Sequence, residues 1–124
     1  ETGAPRVVLQ LRGIIVVLKP PAWEVDGLAS GLSEMPEGGR LPLSSFLRRL
    51  DPSEQYPLFR NRDFDHGFLH RLDVPSSGLV LVGTLMEGYW LLRLQLNTYR
   101  LARDYLVVCH GSVPWNFQRV NMAI

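Results

Sequence analysis

The residue types best suited to chemistry lie close together in the run HRLDVPSSGLVL, which extends from His70 to Leu81. One carboxylate, Asp73, follows the basic residues His70 and Arg71 and precedes a stretch of Pro, Ser and Gly. Side chains in turns at strand ends are more often accessible to ligands than buried in a core. The pattern therefore indicates a carboxylate held at the mouth of a strand pair, where a substrate can reach it.

The elements on either side of Asp73 follow from local sequence. Residues 67–72 form a short strand-like run, residues 74–78 are rich in turn formers, and residues 79–83 are apolar and β-prone. This order predicts a strand that ends at Asp73, a tight reversal and a second strand. A purely structural alternative has Asp73 accepting backbone hydrogen bonds in the turn and His70 buried as a satisfied imidazole.

A metal site in the same region is a weaker hypothesis. Asp63, Asp65, His66 and His70 are suitable ligand types, but their spacing within a loop matches no standard metal site. The Gly pair at 38–39 does not lie between a strand and a helix, as a phosphate-binding loop requires. We therefore expect no metal and no nucleotide cofactor.

The run beginning at His70 resembles the catalytic motif of RNA pseudouridine synthases that act on ribosomal and transfer RNA, a pattern close to H-R-L-D-x-x-[ST]-S-G-L. Two further segments are similar to that family in order and spacing. Residues 16–21, VVLKPP, resemble its early strand ending in Lys-Pro, and residues 100–111, RLARDYLVVCHG, resemble its basic-x-Tyr strand closing on Gly. Three matches in the same order are more specific than one short motif.

The resemblance implies that uracil is detached from ribose, rotated and rejoined through carbon, with no cofactor and no metal. It assigns Asp73 as the essential aspartate, acting as nucleophile or general base. Tyr105 would stack on the extruded uracil, and base stacking of about 1–3 kcal/mol offsets the cost of unstacking the uridine. Arg71 would lie near the vacated position, and His70 and Arg103 would contact RNA with it.

Composition indicates one small domain whose RNA contacts are local. A chain of 124 residues that is 46% hydrophobic can bury a single core, so residues 1–124 are expected to form one domain, with residues 1–6 a flexible terminus or vector-derived. With 13 basic and 12 acidic side chains, bulk attraction to RNA is weak. Every basic residue except Lys19 is Arg, which suits phosphate contacts and base stacking, although GC-rich codon usage explains that bias equally well.

The remaining elements predict an α+β fold, a mainly antiparallel sheet with two helices. Strands are predicted over residues 7–11, 14–18 and 102–109, and residues 20–42 are predicted to form an irregular loop. Helical spacing of apolar residues predicts a short helix over residues 43–50, capped by Ser44 or Ser45, and a longer one over residues 85–99, capped by Thr84. Alternation in the last strand places Arg103 and Tyr105 on one face, where Tyr105 can share a pocket with Asp73.

The chain also departs from the family pattern. It resembles only the first part of the catalytic domain, and nothing after Gly111 resembles the later strands or the basic residue that pairs with the catalytic aspartate; Arg119 is the only basic residue there. A sheet edge that the family pairs would then be open. Two hypotheses follow: an RNA pseudouridine synthase, or a catalytically dead relative serving as a structural subunit of an organellar ribosome or membrane complex, with protein partners covering that edge. A plain RNA-binding module is a third.

Three observations concern cellular context. Cys109 is the only cysteine, which excludes an internal disulfide framework and gives no cue for secretion. No apolar stretch is long enough for a membrane span. Because the chain begins with Glu1, a targeting segment, a larger precursor or a vector boundary is expected upstream, which is compatible with an organelle or the cytoplasm.

Overall fold

A computed structural model describes residues 3–26, 41–116 and 119. Its main sheet has three antiparallel strands in the order β1 (Arg6–Leu11), β2 (Ile14–Lys19) and β5 (Gly78–Gly83). A short parallel pair, β3 (Trp23–Glu24) with β4 (Leu41–Pro42), lies beside α1 (Leu43–Leu50). Two 3₁₀ segments, Pro57–Arg60 and Arg62–Gly67, precede β5, and α2 (Met86–Asn97) follows it. The predicted α+β class, with its mainly antiparallel sheet and two helices, is confirmed.

The two faces of the sheet pack against different helices. One face carries Ile15, Val17, Val80 and Val82, which are buried with Leu43 and Leu47 of α1 and with aromatic residues of the intervening loops. Side chains of successive strand residues point to opposite faces. On the second face, Ile14 and Leu81 pack against a buried cluster that includes two α2 residues, Tyr89 and Leu92. The central residues of the predicted helical stripes are therefore core residues, whereas Leu50 and Tyr99 at their ends are exposed.

The first hairpin and the start of α2 are joined at Gly13. Gly13 lies in the β1–β2 turn with a φ of +79°, and its carbonyl oxygen accepts the Thr84 N–H at 2.9 Å. Gly88, in the first turns of α2, lies directly against this carbonyl, so close that a Cβ atom there would overlap the oxygen. The absence of a side chain at Gly88 therefore sets the distance between α2 and the hairpin.

The helix caps differ from the prediction. Neither helix is capped by the side chain of its own N-cap residue, which is Pro42 in α1 and Leu85 in α2. For α1, the N–H of Ser44 instead donates to Asp26 Oδ1 at 2.8 Å, so the capping carboxylate comes from a residue distant in sequence. The predicted longer helix ends at Asn97, and Tyr99 lies beyond it, exposed and with a φ of +56°.

Two predicted segments adjoin residues that the structure does not describe. Residues 27–40 of the predicted loop lie outside the described part of the chain, whereas residues 23–24 and 41–42 at its margins form the short parallel pair. At the N-terminus, Arg6 already belongs to β1 and Pro5 is buried. Among the described helices, none has the length and apolar character needed to cross a membrane.

Asp51 is the principal buried charge outside the candidate site. Its side chain is only 3% exposed, yet it accepts hydrogen bonds from the N–H groups of Gln55 and Tyr56 and from Arg60. Burial raises the pKa of the Asp51 carboxyl, but the two backbone bonds and the Arg60 charge outweigh it and hold the pKa below 3.8. This carboxylate fixes the loop between α1 and the first 3₁₀ segment.

We expect Asp51→Ala to lower the free energy of unfolding by roughly 2–4 kcal/mol, because two backbone donors and Arg60 lose their acceptor. The folded-state pKa is depressed, so the stabilisation is present above pH 3.8 and is lost as the pH falls through the folded-state pKa. The difference between wild type and variant should therefore narrow in acid. Urea unfolding at several pH values measures this difference in the free energy of unfolding. Asp63→Ala, at an exposed carboxylate, is the control, and equal destabilisation by both variants would contradict the prediction.

Candidate active site

Asp73 lies at the start of a tight turn before β5, as predicted. The Ser76 N–H donates to the Asp73 carbonyl oxygen at 3.0 Å, and the Asp73 side chain is exposed. The predicted strand over residues 67–72 is wrong in extent: it contributes one bridge, between Phe68 and Val82, and the Leu69 N–H donates to the Leu81 carbonyl at 3.3 Å. The pairing of this segment with β5 therefore ends before the charged residues Arg71 and Asp73.

Beyond Leu69 the side chains alternate in exposure. His70 and Leu72 are half-buried, whereas Arg71 and Asp73 are exposed. Exposure that alternates along a segment indicates that residues two positions apart lie on the same side. The guanidinium of Arg71 and the carboxylate of Asp73 therefore face solvent together, on the side from which a large substrate can approach.

A buried lysine holds the turn that follows Asp73. Lys19, at the end of β2, is fully buried, and its Nζ donates to the carbonyl oxygens of Trp23 at 2.8 Å, Val74 at 3.3 Å and Ser76 at 2.7 Å. The Ala22 N–H adds a bond to the Val74 carbonyl at 2.9 Å. These bonds tie the turn after Asp73 to the loop after β2, so the aspartate sits on a braced backbone.

Lys19 also lies close enough to Asp73 for the carboxylate charge to act on the ammonium group. Burial lowers the pKa of the Lys19 ammonium below 10.5, and the Asp73 carboxylate opposes part of this shift. Because the Nζ protons are directed at carbonyl oxygens, Lys19 supplies Asp73 with a nearby positive charge without an ion pair. The Lys-Pro pair that contains Lys19 is part of the family resemblance, but no role for Lys19 beside Asp73 was predicted from the sequence.

We expect Lys19→Met to destabilise the fold by roughly 2–4 kcal/mol, because several buried carbonyls lose their donor. The folded-state pKa of Lys19 is lowered, so the wild type becomes more stable as the pH rises from that pKa towards 10.5, and the variant lacks this gain. Urea unfolding across alkaline pH measures both effects, with the exposed Arg49→Met as control. A loss no larger than that of the control would contradict the role of Lys19.

The His70 ring is turned into the protein. Its Nε2 accepts the Leu81 N–H of β5 at 3.1 Å, and its Nδ1 is buried without a hydrogen-bond partner among the described residues. Burial, and then the charge of Arg103, lower the pKa of His70 below 6.5; the backbone of Arg71 opposes this in part. Neither ring nitrogen is presented to RNA in this conformation, which makes an indirect role the better interpretation of His70.

The residues of the weaker metal hypothesis do not converge. His66 is buried, and its Nδ1 is hydrogen-bonded to the Phe59 carbonyl at 3.1 Å. Within the described ranges, no three His, Cys, Asp or Glu side chains form a group that could hold a metal ion. His66 therefore acts in packing the 3₁₀ segments, where burial also raises the pKa of Asp65.

The predicted strand over residues 102–109 is wrong for this structure. These residues have no regular secondary structure and are exposed, with Tyr105 62% accessible and Leu106 fully accessible. A strand requires a neighbouring strand for its hydrogen bonds, and alternation alone does not supply one. Arg103 lies near enough to His70 for its charge to act on the ring, but no hydrogen bond joins Tyr105 to Asp73 in the described residues.

The arrangement presents one carboxylate on a braced turn, a neighbouring guanidinium on the same exposed side, and a buried ammonium behind them. A fixed carboxylate open to solvent can act as a nucleophile or accept a proton from a bound substrate. An exposed site of this kind, with arginines nearby, suits a large anionic substrate better than a small molecule, which would need an enclosing pocket.

Comparison with known proteins agrees with the motifs. A family model described as RNA pseudouridylate synthase matches residues 13–124, a range that contains Lys19, the turn at Asp73 and Tyr105. No curated protein and no solved structure matches the chain. The match begins at the β1–β2 turn and covers all the elements that position Asp73, well over half of the chain. The chain therefore belongs to the RNA pseudouridylate synthase family.

Proposed function

We propose that this chain isomerises uridine to pseudouridine in RNA, with Asp73 as the catalytic carboxylate. The family supplies the reaction class and RNA as the substrate. The observation that carries the assignment is the position of Asp73: it is exposed, while the backbone on both sides of it is fixed to the sheet and to Lys19. A catalytic group must be both accessible and held in one orientation.

Arg71 and Arg103 are the proposed RNA contacts. Both are exposed, and Arg71 shares the exposed side of its segment with Asp73. A guanidinium can bind phosphate through two parallel hydrogen bonds and can also stack on a base. Since the chain has a formal net charge of only +1, such local contacts would provide most of its RNA affinity.

Tyr105 is the proposed stacking residue for the extruded uracil. Its ring is exposed and has no aromatic partner among the described residues, so its face is open to a base. Stacking would require the exposed segment around Tyr105 to move towards Asp73 when RNA binds. Coupled ordering of this kind lowers the net affinity, because the segment loses conformational entropy on binding.

Conversion of uridine in RNA tests the proposal directly. Purified chain is incubated with total cellular RNA, and pseudouridine is quantified by mass spectrometry of the nucleosides against an incubation without protein. We expect an increase in pseudouridine. If pseudouridine does not increase with any cellular RNA, the proposal is wrong. RNA binding that weakens as the salt concentration rises, without formation of pseudouridine, would indicate an RNA-binding module instead.

A structural role without catalysis is the second candidate, favoured by one observation. Leu106 and Val108 are almost completely exposed, and Val107 and Trp115 of the same C-terminal segment are also open to solvent. Large apolar side chains exposed in one segment suit an interaction site when they form a common surface. If this role is right, the isolated chain should self-associate or unfold without cooperativity; a monomer with a single sharp unfolding transition would remove its main support.

A further inference from the structure

The imidazole of His70 completes the outer edge of the sheet. Leu81, in the middle of β5, pairs with Val16 of β2 on its inner side. On its outer side, its carbonyl accepts the Leu69 N–H at 3.3 Å, and its N–H donates to His70 Nε2 at 3.1 Å. In a continuous antiparallel strand, a backbone carbonyl would accept that N–H. The His70 ring takes the place of this carbonyl, at the point where the backbone leaves the sheet.

This bond specifies the protonation state of His70. A ring nitrogen that accepts a hydrogen bond carries no proton, so a neutral His70 must carry its proton on Nδ1. The Nδ1 atom is buried and has no hydrogen-bond partner in the described part of the chain. Protonation would place a second N–H on the ring, directed at the Leu81 N–H, and the two donors would repel each other.

The charged groups around the ring also disfavour protonation. The sequence of β5, GLVLVG, contains no ionisable side chain, so the strand contributes no charge. From the C-terminal segment, Arg103 adds a positive charge that acts on the ring. On the ring's own segment, Arg71 and Asp73 carry opposite charges and both face solvent. Among these groups, no carboxylate makes an ion pair with His70.

Asp73 lies between two anchors. Upstream, His70 and Leu69 are bonded to Leu81. Downstream, the Val74 and Ser76 carbonyls are bonded to Lys19. Between the anchors, the backbone bond found in the described residues is the one from the Ser76 N–H to the Asp73 carbonyl. Loss of the Lys19 bonds would leave only the Ala22 bond to Val74 on the downstream side, and loss of the His70 bond would leave only the Leu69 bond on the upstream side.

We propose that His70 is a positioning residue for Asp73: its neutral ring, protonated on Nδ1, fastens the segment carrying Asp73 to the edge of β5. The inference rests on the proposed function only in giving Asp73 a catalytic purpose. The fastening itself is a property of the folded chain and can be measured without RNA.

Two substitutions separate the hydrogen bond from the volume of the ring. His70→Phe keeps a planar ring, but the ring cannot accept a hydrogen bond from the Leu81 N–H. The Leu81 amide hydrogen should therefore exchange with solvent roughly 5- to 150-fold faster, as expected for loss of a buried hydrogen bond. His70→Gln can place a carbonyl oxygen near the position of Nε2 and should restore most of the protection. Hydrogen exchange followed by NMR reads the Leu81 amide, and the Asp73 amide shift reports whether that residue moves with it.

The pH dependence supplies a signature that packing alone would not give. The folded-state pKa of His70 is lowered below 6.5, so the stabilisation from the neutral ring is intact above 6.5 and is lost as the pH falls through the folded-state pKa. In the wild type, Leu81 protection and the Asp73 amide shift should change together over that range. In His70→Gln the protection of Leu81 should be independent of pH, since an amide does not titrate there, and any change in the Asp73 amide shift that remains in this variant comes from other groups and is subtracted. ¹⁵N shifts of the ring should show a protonated Nδ1.

Three results would overturn the inference: a neutral ring protonated on Nε2, unchanged Leu81 exchange in His70→Phe, or an Asp73 signal that stays fixed when Leu81 is released. If His70→Phe does not fold, the ring shifts and pH titrations of the wild type and His70→Gln still decide. In an active chain, His70→Phe should lower kcat with little change in KM, and His70→Gln should recover it. An inactive wild type would count against the proposed function and would leave the NMR result decisive for His70.

Discussion

Asp73→Asn should abolish measurable conversion of uridine while leaving the fold and RNA binding intact. The substitution keeps the size of the side chain and removes its charge and basicity. A positioned acid or base contributes about 10²–10⁴-fold to a rate, and loss of a covalent nucleophile removes at least as much. Because the Asp73 side chain is exposed, the free energy of unfolding should change by no more than about 0.5 kcal/mol.

Asp104→Asn is the matched control for this prediction. Asp104 is also exposed, and it lies between the proposed RNA contact Arg103 and the proposed stacking residue Tyr105. If negative charge near the RNA mattered only through electrostatics, both Asn variants would alter conversion by similar amounts. We expect the Asp104 variant to stay within about twofold of the wild type. Substantial turnover by Asp73→Asn would remove Asp73 from the chemistry and return it to the role of a turn residue.

Elements that depend on local periodicity were predictable from the sequence. The β1–β2 hairpin, β5 and both helices appear close to their predicted positions, because alternation and helical spacing reflect which side chains a neighbouring layer will bury. The same reasoning failed for residues 102–109. These residues do form a β-prone run, but a strand also needs a hydrogen-bonding neighbour, and none lies beside the run among the described residues.

The bonds that orient Asp73 were not predictable in this way. Lys19 donates hydrogen bonds to the carbonyls of Val74 and Ser76, and the Leu81 N–H donates to the ring of His70 across the turn. Such bonds depend on where β2 and β5 end relative to each other, which no pattern within either segment specifies. Register supplies the missing information: Lys19 pairs with Gly78, so the end of β2 and the start of β5 lie side by side.

The site therefore depends on how firmly β2 and β5 are held, and the contact between Gly88 and Gly13 is the most sensitive point. A Cβ atom on Gly88 would overlap the Gly13 carbonyl oxygen and would also lie 2.9 Å from the Ile14 side chain. The Gly13 carbonyl cannot simply rotate away, since it accepts the Thr84 N–H. Relief of the overlap requires α2 to move off the hairpin, which would uncover part of the second core cluster.

Gly88→Ala should consequently lower the free energy of unfolding by about 3 kcal/mol or more, at the upper end of what overpacking costs. In an unobstructed helix the same change would stabilise by about 1 kcal/mol, so the sign of the effect is itself diagnostic. Urea unfolding measures it, with Glu87→Ala as the control, because Glu87 is the exposed neighbour in the same turn of α2. A Gly88→Ala variant as stable as the wild type would show that α2 is not held against the hairpin. A strongly destabilised variant should also lose protection at Leu81, because the strand that anchors His70 is packed beneath α2.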